Sequence, residues 1–174
     1  DLGVDVFLGS ARFVAPDAVH VDDGGAGAAL RFRRAVIATG GRAAVPPVPG
    51  LAEAGYRTNE TIFALTARPR RLAVIGAGPI GCELAQSFAR FGSEVVVVDA
   101  AERILPVDDP DAAAVVARAL ERDGVRLLLG ATVRRVERAG AERVLHVTRG
   151  AAPDAATERV ACDELLVAAG RVPN

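Results

Sequence analysis

The chain has 174 residues, half of them hydrophobic, and a formal net charge of −1. That length suits one ordinary domain, or one domain with part of a neighbour. The near-neutral charge argues against a nucleic-acid or anionic-membrane partner, and no apolar run is long enough to span a bilayer. All 21 basic residues are Arg and there is no Met. A chain opening on Asp1-Leu2-Gly3-Val4 without a Met reads as a piece of a longer protein, and without a signal-peptide pattern its expected location is the cytoplasm.

In chain order, Val4–Leu8, Ala18–Val21 and Leu30–Ile37 read as short strands. Pro16-Asp17 and Asp22-Asp23-Gly24-Gly25 supply turn chemistry between them, giving a small antiparallel meander. Leu30–Arg34 alternates apolar and basic residues, whereas Ala35–Ile37 is apolar without a break and is expected to be buried. Val45-Pro46-Pro47-Val48-Pro49-Gly50 excludes helix and central strand and reads as an extended connector. Thr58-Asn59-Glu60-Thr61 resembles a helix start, and that helix must stop before Pro69. A domain boundary is expected near Thr66–Arg68, dividing the chain into residues 1–66 and 67–174.

The next stretch, Leu72–Glu83, reads L-A-V-I-G-A-G-P-I-G-C-E. Leu72–Ile75 is a buried-strand pattern. It runs into Gly76-x-Gly78-x-x-Gly81, which opens a helix over Pro79–Phe91. A second apolar run, Glu94–Val98, ends on Asp99. Strand, glycine turn, helix, strand and acid in that order form the dinucleotide-binding fingerprint in its required context. Gly76 permits the tight turn, Gly78 lets a pyrophosphate approach the backbone, and Gly81 lets the helix pack closely. Pro79 and Ile80 belong to the first helical turn, whose N–H groups and dipole face the phosphates. Asp99 can accept hydrogen bonds from ribose hydroxyls, which favours NAD. NADP stays open, because Arg103 lies close enough in sequence to serve a 2′-phosphate if its loop folds back.

The helix is expected to bury Ile80, Leu84, Phe88 and Phe91. A second helix runs from about Pro110 to Arg122, with Ala112, Val115, Val116, Ala119 and Leu120 as its buried stripe and Asp108 and Asp109 at its start. Val125–Leu129 is a third strand. Thr132–Arg138, Arg143–Thr148 and Thr157–Ala161 alternate like a second meander, with loops at Ala139-Gly140 and Gly150–Ala156. Glu164–Ala168 is a last apolar strand. Cys82 and Cys162 belong to no C-x-x-C or metal-spaced set and read as small buried hydrophobes; no metal site is expected. His20 and His146 have no acidic or nucleophilic partner at a telling spacing and read as surface histidines.

Several segments point to one family. Gly9-Ser10-Ala11-Arg12-Phe13, Ala38-Thr39-Gly40-Gly41 with the Pro46–Gly50 tail, Thr58–Phe63, Gly76–Glu83, Arg103-Ile104-Leu105-Pro106 and Ala168–Asn174 resemble, in family order, the FAD-dependent pyridine nucleotide–disulfide oxidoreductases. The nearest branch is that of dihydrolipoamide dehydrogenase and mercuric reductase. The resemblance implies an α/β, Rossmann-like NAD(P)-binding domain over 67–174, with a parallel sheet and an antiparallel β-meander, preceded over 1–66 by a partial FAD-domain meander and crossing strand. It further implies that Ala11, Thr39, Gly40 and Arg171 approach FAD, that Glu83 stands near nicotinamide and flavin, and that Gly170 lines the far side of the NAD site. Pro79 stands where some relatives place a tyrosine gate.

The family's own FAD-binding G-x-G-x-x-G, its C-x-x-x-x-C redox pair and its C-terminal dimer domain are not in this sequence. The resemblance therefore makes this a central fragment, with the remainder of its own chain and small-molecule dinucleotides as partners and a homodimeric parent. Three readings of the parent follow: a disulfide-linked flavin reductase, a flavin reductase without the disulfide (an NADH oxidase or ferredoxin-reductase type), and a non-catalytic NAD-binding module. The fragment alone is expected to bind no FAD tightly. Purified chain should be colourless, and a flavin absorption band that survives gel filtration would contradict this.

Overall fold

The computed structural model describes residues 3–150 and 157–174. The loop expected over 150–156 lies outside them except for Gly150. The chain forms two compact units, residues 1–39 and 40–174.

The first unit is a three-stranded antiparallel sheet. Strand β1 (Ser10–Ala15) pairs with β2 (Ala18–Asp22), which pairs with β3 (Ala28–Arg31). Pro16 and Asp17 form the connection that sets Ala15 opposite Ala18. That register places the first strand on Ser10–Ala15 rather than on Val4–Leu8. Residues 4–8 pair with no strand, and Val4 and Leu8 are exposed. The third strand likewise stops at Arg31, and Val36 and Ile37 are 91% and 71% exposed. An apolar run is buried only if something covers it, and three short strands offer no second layer. The β2–β3 loop behaves as its sequence suggests: Asp22 accepts from Gly24 N–H, and Asp23 from Gly25 and Gly27 N–H.

The second unit is built around a four-stranded parallel sheet. In chain order it contains β4 (Gly41–Ala43), α1 (Leu51–Ala54), a 3₁₀ turn at Ile62–Ala64, β5 (Arg71–Ile75), α2 (Pro79–Arg90), β6 (Glu94–Val98), α3 (Pro110–Arg122), β7 (Arg126–Leu128), β8 (Ala131–Ala139), β9 (Glu142–Arg149), β10 (Thr157–Cys162), β11 (Glu164–Val167) and β12 (Arg171–Pro173). The parallel order is β11-β5-β6-β7. The meander runs β10-β9-β8, and β12 pairs antiparallel with β4.

The period of two explains the layers. On β5, Leu72 and Val74 face α2 and α3 together with Val95, Val97, Leu120 and Leu166. Ala73 and Ile75 face the meander and α1 together with Val98, Leu145, Leu165 and Val167. A strand apolar at every position is thus covered on both faces, as parallel strands require.

Three expectations shift. The helix expected after Thr58 is only a tight turn and the 3₁₀ turn, because the Thr58 and Thr61 hydroxyls accept from Glu60 and Thr58 N–H and divert the backbone. Helix α2 buries Gly81, Cys82 and Ala85, with Leu84 and Phe88 on its shoulder and Phe91 exposed. It lies so close to the sheet that small residues fill the contact line. Helix α3 buries Ala113 and Leu120 rather than Ala112 and Val115. Its Asp109 cap accepts from Asp111 and Ala112 N–H and satisfies the helix start.

Both cysteines are buried, and burial pushes each thiol up to about 11, leaving them protonated and inert at neutral pH. The histidines are half-buried rather than exposed. His146 is 11% exposed with Nε2 3.0 Å from Glu137, off the line of a hydrogen bond, and His20 Nδ1 is enclosed without a partner. Residues 40–66, expected to group with the residues before them, pack in the second unit. Leu51 and Ala54 enter its core, Pro49 C=O accepts from Val136 N–H, and Arg57 bridges in parallel to Leu166.

The N-terminal ends of β5 and β11 are stapled by charge. Arg71 contacts Glu142 (2.7 Å) and Asp163 (2.5 Å), Arg71 N–H donates to Asp163, and Arg143 and Arg57 both reach Glu164. Arg71 holds the Asp163 carboxyl below the usual range. A carboxyl depressed in the folded state contributes stability above its unfolded value of about 3.9, and that contribution is lost as pH falls through the folded value. Chemical denaturation at stepped pH should show Asp163→Asn less stable than wild type at pH 7, with the difference shrinking below about pH 4; a gap independent of pH would assign Asp163 no ionic role.

Candidate functional site

The site begins where β5 ends. Gly76 N–H still donates to Val98 C=O, and the chain then turns away at φ +108°. A Cβ on Gly76 would lie 2.4 Å from the Ala168 carbonyl oxygen, and one on Gly81 would lie 2.0 Å from the Gly76 carbonyl oxygen. Both glycines are there because backbone occupies the space. Gly78 differs: a Cβ built there meets nothing within 4 Å. It is the N-cap of α2, in extended conformation with no side-chain cap, and Pro79 follows at the first helical position. The first turn of α2 therefore presents an uncapped end beside an open glycine backbone, an arrangement suited to an anion.

Ala77, fully buried between these glycines, is the hub. Its N–H donates to Asp99 Oδ2 (2.6 Å), its carbonyl accepts from Leu105 N–H (2.8 Å), and the Cys82 thiol lies 3.4 Å from that carbonyl. Asp99 Oδ1 accepts from Ala101 N–H (2.8 Å). Each carboxylate oxygen keeps a second acceptor position, so Asp99 can hold the turn and still receive a hydroxyl.

A groove of about 410 Å³ runs along the C-terminal ends of β11, β5 and β6. Four of the residues expected from sequence line it: Gly76, Gly78, Asp99 and Gly170. Gly170 turns the chain at φ +115° into β12, and its carbonyl accepts from Ala44 N–H. Ile80 and Gly81 build the helix start behind the groove. Pro79 and the exposed Glu83 line a separate hollow of about 320 Å³, with Leu105, Asp108 and Val116, so Glu83 does not join the groove. Arg171 donates to the Gly41 carbonyl, and the Gly40 carbonyl faces Asn174 N–H, so this corner is held by β4 and β12. Thr39 is exposed, and Ala11 lies exposed on β1. Arg103 is not turned toward the groove; its guanidinium donates to the carbonyls of Leu105, Pro106 and Asp108.

Sequence reasoning missed the opposite wall, formed by Pro46, Val48, Thr132 and Val133. A signal existed in Gly50. A Cβ there would lie 2.0 Å from the Val136 carbonyl oxygen, so this glycine seats the proline connector directly on β8.

The pattern of the pyridine nucleotide-disulphide oxidoreductase family matches over residues 2–174, and the chain belongs to that family. The chain is 39% identical to a mercuric reductase from Lysinibacillus sphaericus over 170 residues, covering 98% of this chain and 30% of that protein. It is 34% identical to a dihydrolipoyl dehydrogenase from Acholeplasma laidlawii, covering 78% of this chain and 40% of that one. The solved structure of RclA from Escherichia coli, an HOCl-induced flavoprotein disulfide reductase, matches with a TM-score of 0.77 at 32% identity, over 98% of this chain and 37% of that chain. The chain thus spans 30–40% of the length of these relatives.

Because Asp99 pins two backbone N–H groups, replacing it disturbs the turn itself. Asp99→Asn turns an amide N–H₂ toward one of those donors and should cost on the order of 1–2 kcal/mol in denaturant unfolding. Unchanged stability would show that the two bonds carry no weight.

Proposed function

We propose that this chain is the nucleotide-docking part of a flavin-dependent oxidoreductase. In this reading residues 67–174 form a Rossmann-like NAD(P) domain and residues 1–66 come from the FAD domain, with their 40–66 stretch packed on the NAD(P) domain. The observation that carries it is the open backbone at Gly78, at an uncapped helix end, facing a groove that also contains Asp99 and Gly170.

The residues divide the work. The Gly76–Gly81 turn holds the pyrophosphate by backbone N–H groups and helix dipole. Asp99 accepts from the adenine-side ribose hydroxyls. A 2′-phosphate there would meet a carboxylate, while Arg103, the nearby cation, is already spent on three carbonyls; this supports NAD over NADP. Gly170, on the other side of the turn, lets the nucleotide pass close to the backbone. Glu83, exposed beside Pro79, is the carboxylate we place toward the nicotinamide end; Ala11 and Thr39 of the first unit, and Gly40 and Arg171 of the second, are each assigned to flavin contact by the family resemblance. The chemistry supplied by the bound cofactors is hydride exchange between nicotinamide and flavin, with electrons passing on to a cysteine pair outside this chain. The protein's share is orientation and a water-poor, apolar groove. The relatives named as mercuric reductase, dihydrolipoyl dehydrogenase and flavoprotein disulfide reductase support this reaction class.

Calorimetric titration with NADH and NADPH tests the reading. Wild-type chain should bind NADH more tightly. Gly78→Val, whose side chain projects into open space at a φ any residue adopts, should stay folded with at most a few degrees lost in melting temperature from the poorer N-cap, and should lose at least about tenfold in NADH affinity. Equal affinity in the variant would remove the pyrophosphate from this turn.

A further inference from the structure

We infer that Arg103 is a positioning residue of the nucleotide groove: by clamping the loop that follows it, Arg103 holds Leu105 against Ala77 and so fixes the shape of the glycine turn. The inference rests on the docking reading for its consequence, but the clamp is a property of the unliganded protein.

Three observations converge on it. The Arg103 guanidinium donates to Leu105 C=O (2.9 Å), Pro106 C=O (2.7 Å) and Asp108 C=O (3.0 Å), so one side chain gathers three carbonyls of a single tight loop. The planar fork places its donors at fixed separations, one nitrogen on Leu105 and the other on Pro106 and Asp108, where an ammonium would have to serve all three from a single point on a flexible stem. Second, Leu105 has φ +48°, the only non-glycine residue with positive φ among the described residues. For a branched side chain that conformation is costly and persists only when its surroundings impose it. Third, the strained residue is tied to the site. Leu105 N–H donates to Ala77 C=O (2.8 Å), and Ala77 N–H donates to Asp99 Oδ2 (2.6 Å). Pro106, the next residue, lines the groove itself. The buried Ile104 anchors the loop's near end in the helical core.

The connection therefore runs from the guanidinium to the loop carbonyls, to a left-handed Leu105, to Ala77, and to the carboxylate that meets the ribose. The two peptide groups flanking Ala77 are both held, the preceding one through its N–H by Asp99 and the following one through its C=O by Leu105. Removing the clamp frees Leu105 to relax toward negative φ, which withdraws its N–H from Ala77. This assignment differs from a 2′-phosphate ligand in a measurable way. A phosphate ligand would affect NADPH alone, whereas a positioning residue affects both nucleotides equally.

The test uses the 174-residue chain with Arg103→Ala, Arg103→Lys, and each combined with Leu105→Gly. Amide hydrogen exchange without nucleotide should show the Leu105 and Ala77 N–H groups exchanging on the order of tenfold faster in both single variants. NADH and NADPH affinities should fall together by about tenfold, leaving their ratio unchanged. Leu105→Gly, which adopts φ +48° without the Cβ penalty, should restore a substantial part of the loss in the Arg103→Ala background. Loss confined to NADPH would make Arg103 a phosphate ligand and overturn the inference. Unchanged exchange at Leu105 and Ala77, or an affinity loss that Leu105→Gly leaves untouched, would overturn it as well. A wild-type chain that binds neither nucleotide would sink the docking reading, while the exchange data would still decide the clamp.

Discussion

The rest of the second unit depends on a backbone contact with no room in it. The first turn of α2 rests on the carbonyl of Gly76, at a distance that a single Cβ at position 81 would reduce to 2.0 Å. From that contact follow the closeness of helix to sheet and the burial of Cys82 and Ala85 where larger residues would not fit. The same contact turns the chain end of β5 toward Ala168 at the end of β11. It also leaves Gly78 as the point where the turn is open outward. Packing that admits no side chain and a backbone open to the groove are two sides of one geometry.

The second unit separates its tasks along the strand direction. At the N-terminal ends of β5 and β11 lie the ion pairs of Arg71, Asp163, Glu142, Glu164, Arg57 and Arg143. Half-buried pairs that share several backbone bonds define register more than they add energy. At the C-terminal ends the lining changes to glycine, alanine, proline and valine, with Asp99 as the carboxylate of the groove. Among the residues lining that edge Asp99 alone carries a charge, and the helix dipole and backbone N–H groups supply the positive field that suits an anion.

Ala77 shows how a residue without chemistry of its own can organise a site. Its side chain is buried, its N–H is held by Asp99 and its carbonyl by the loop at Leu105. The carboxylate that would select the ribose is thus also part of the scaffold, so selectivity and stability are coupled at one position. The Arg103 clamp extends the same network outward, through a residue with no side-chain contact to the groove.

Periodicity made the parallel strands, both long helices and the second meander legible, because strands covered on both faces must be apolar throughout and crossover helices must carry caps and a stripe. Gly76 and Gly81 were legible for a related reason: a turn without space for Cβ can be written only with glycine. What needed tertiary structure was anything decided by a neighbour distant in sequence. Apolar runs at Val4–Leu8 and Ala35–Ile37 look like buried strands, but burial belongs to the covering layer and not to the run. Which face of α3 is buried depends on the core it packs into, and the α2 contact line on the closeness of the sheet. The proline connector's place as a wall of the groove depends on its seat against β8. Arg103 carries a charge that sequence alone offers to any phosphate within reach. Only the fold decides that three carbonyls reach it first, because the loop closes on itself within five residues and leaves the guanidinium no other geometry.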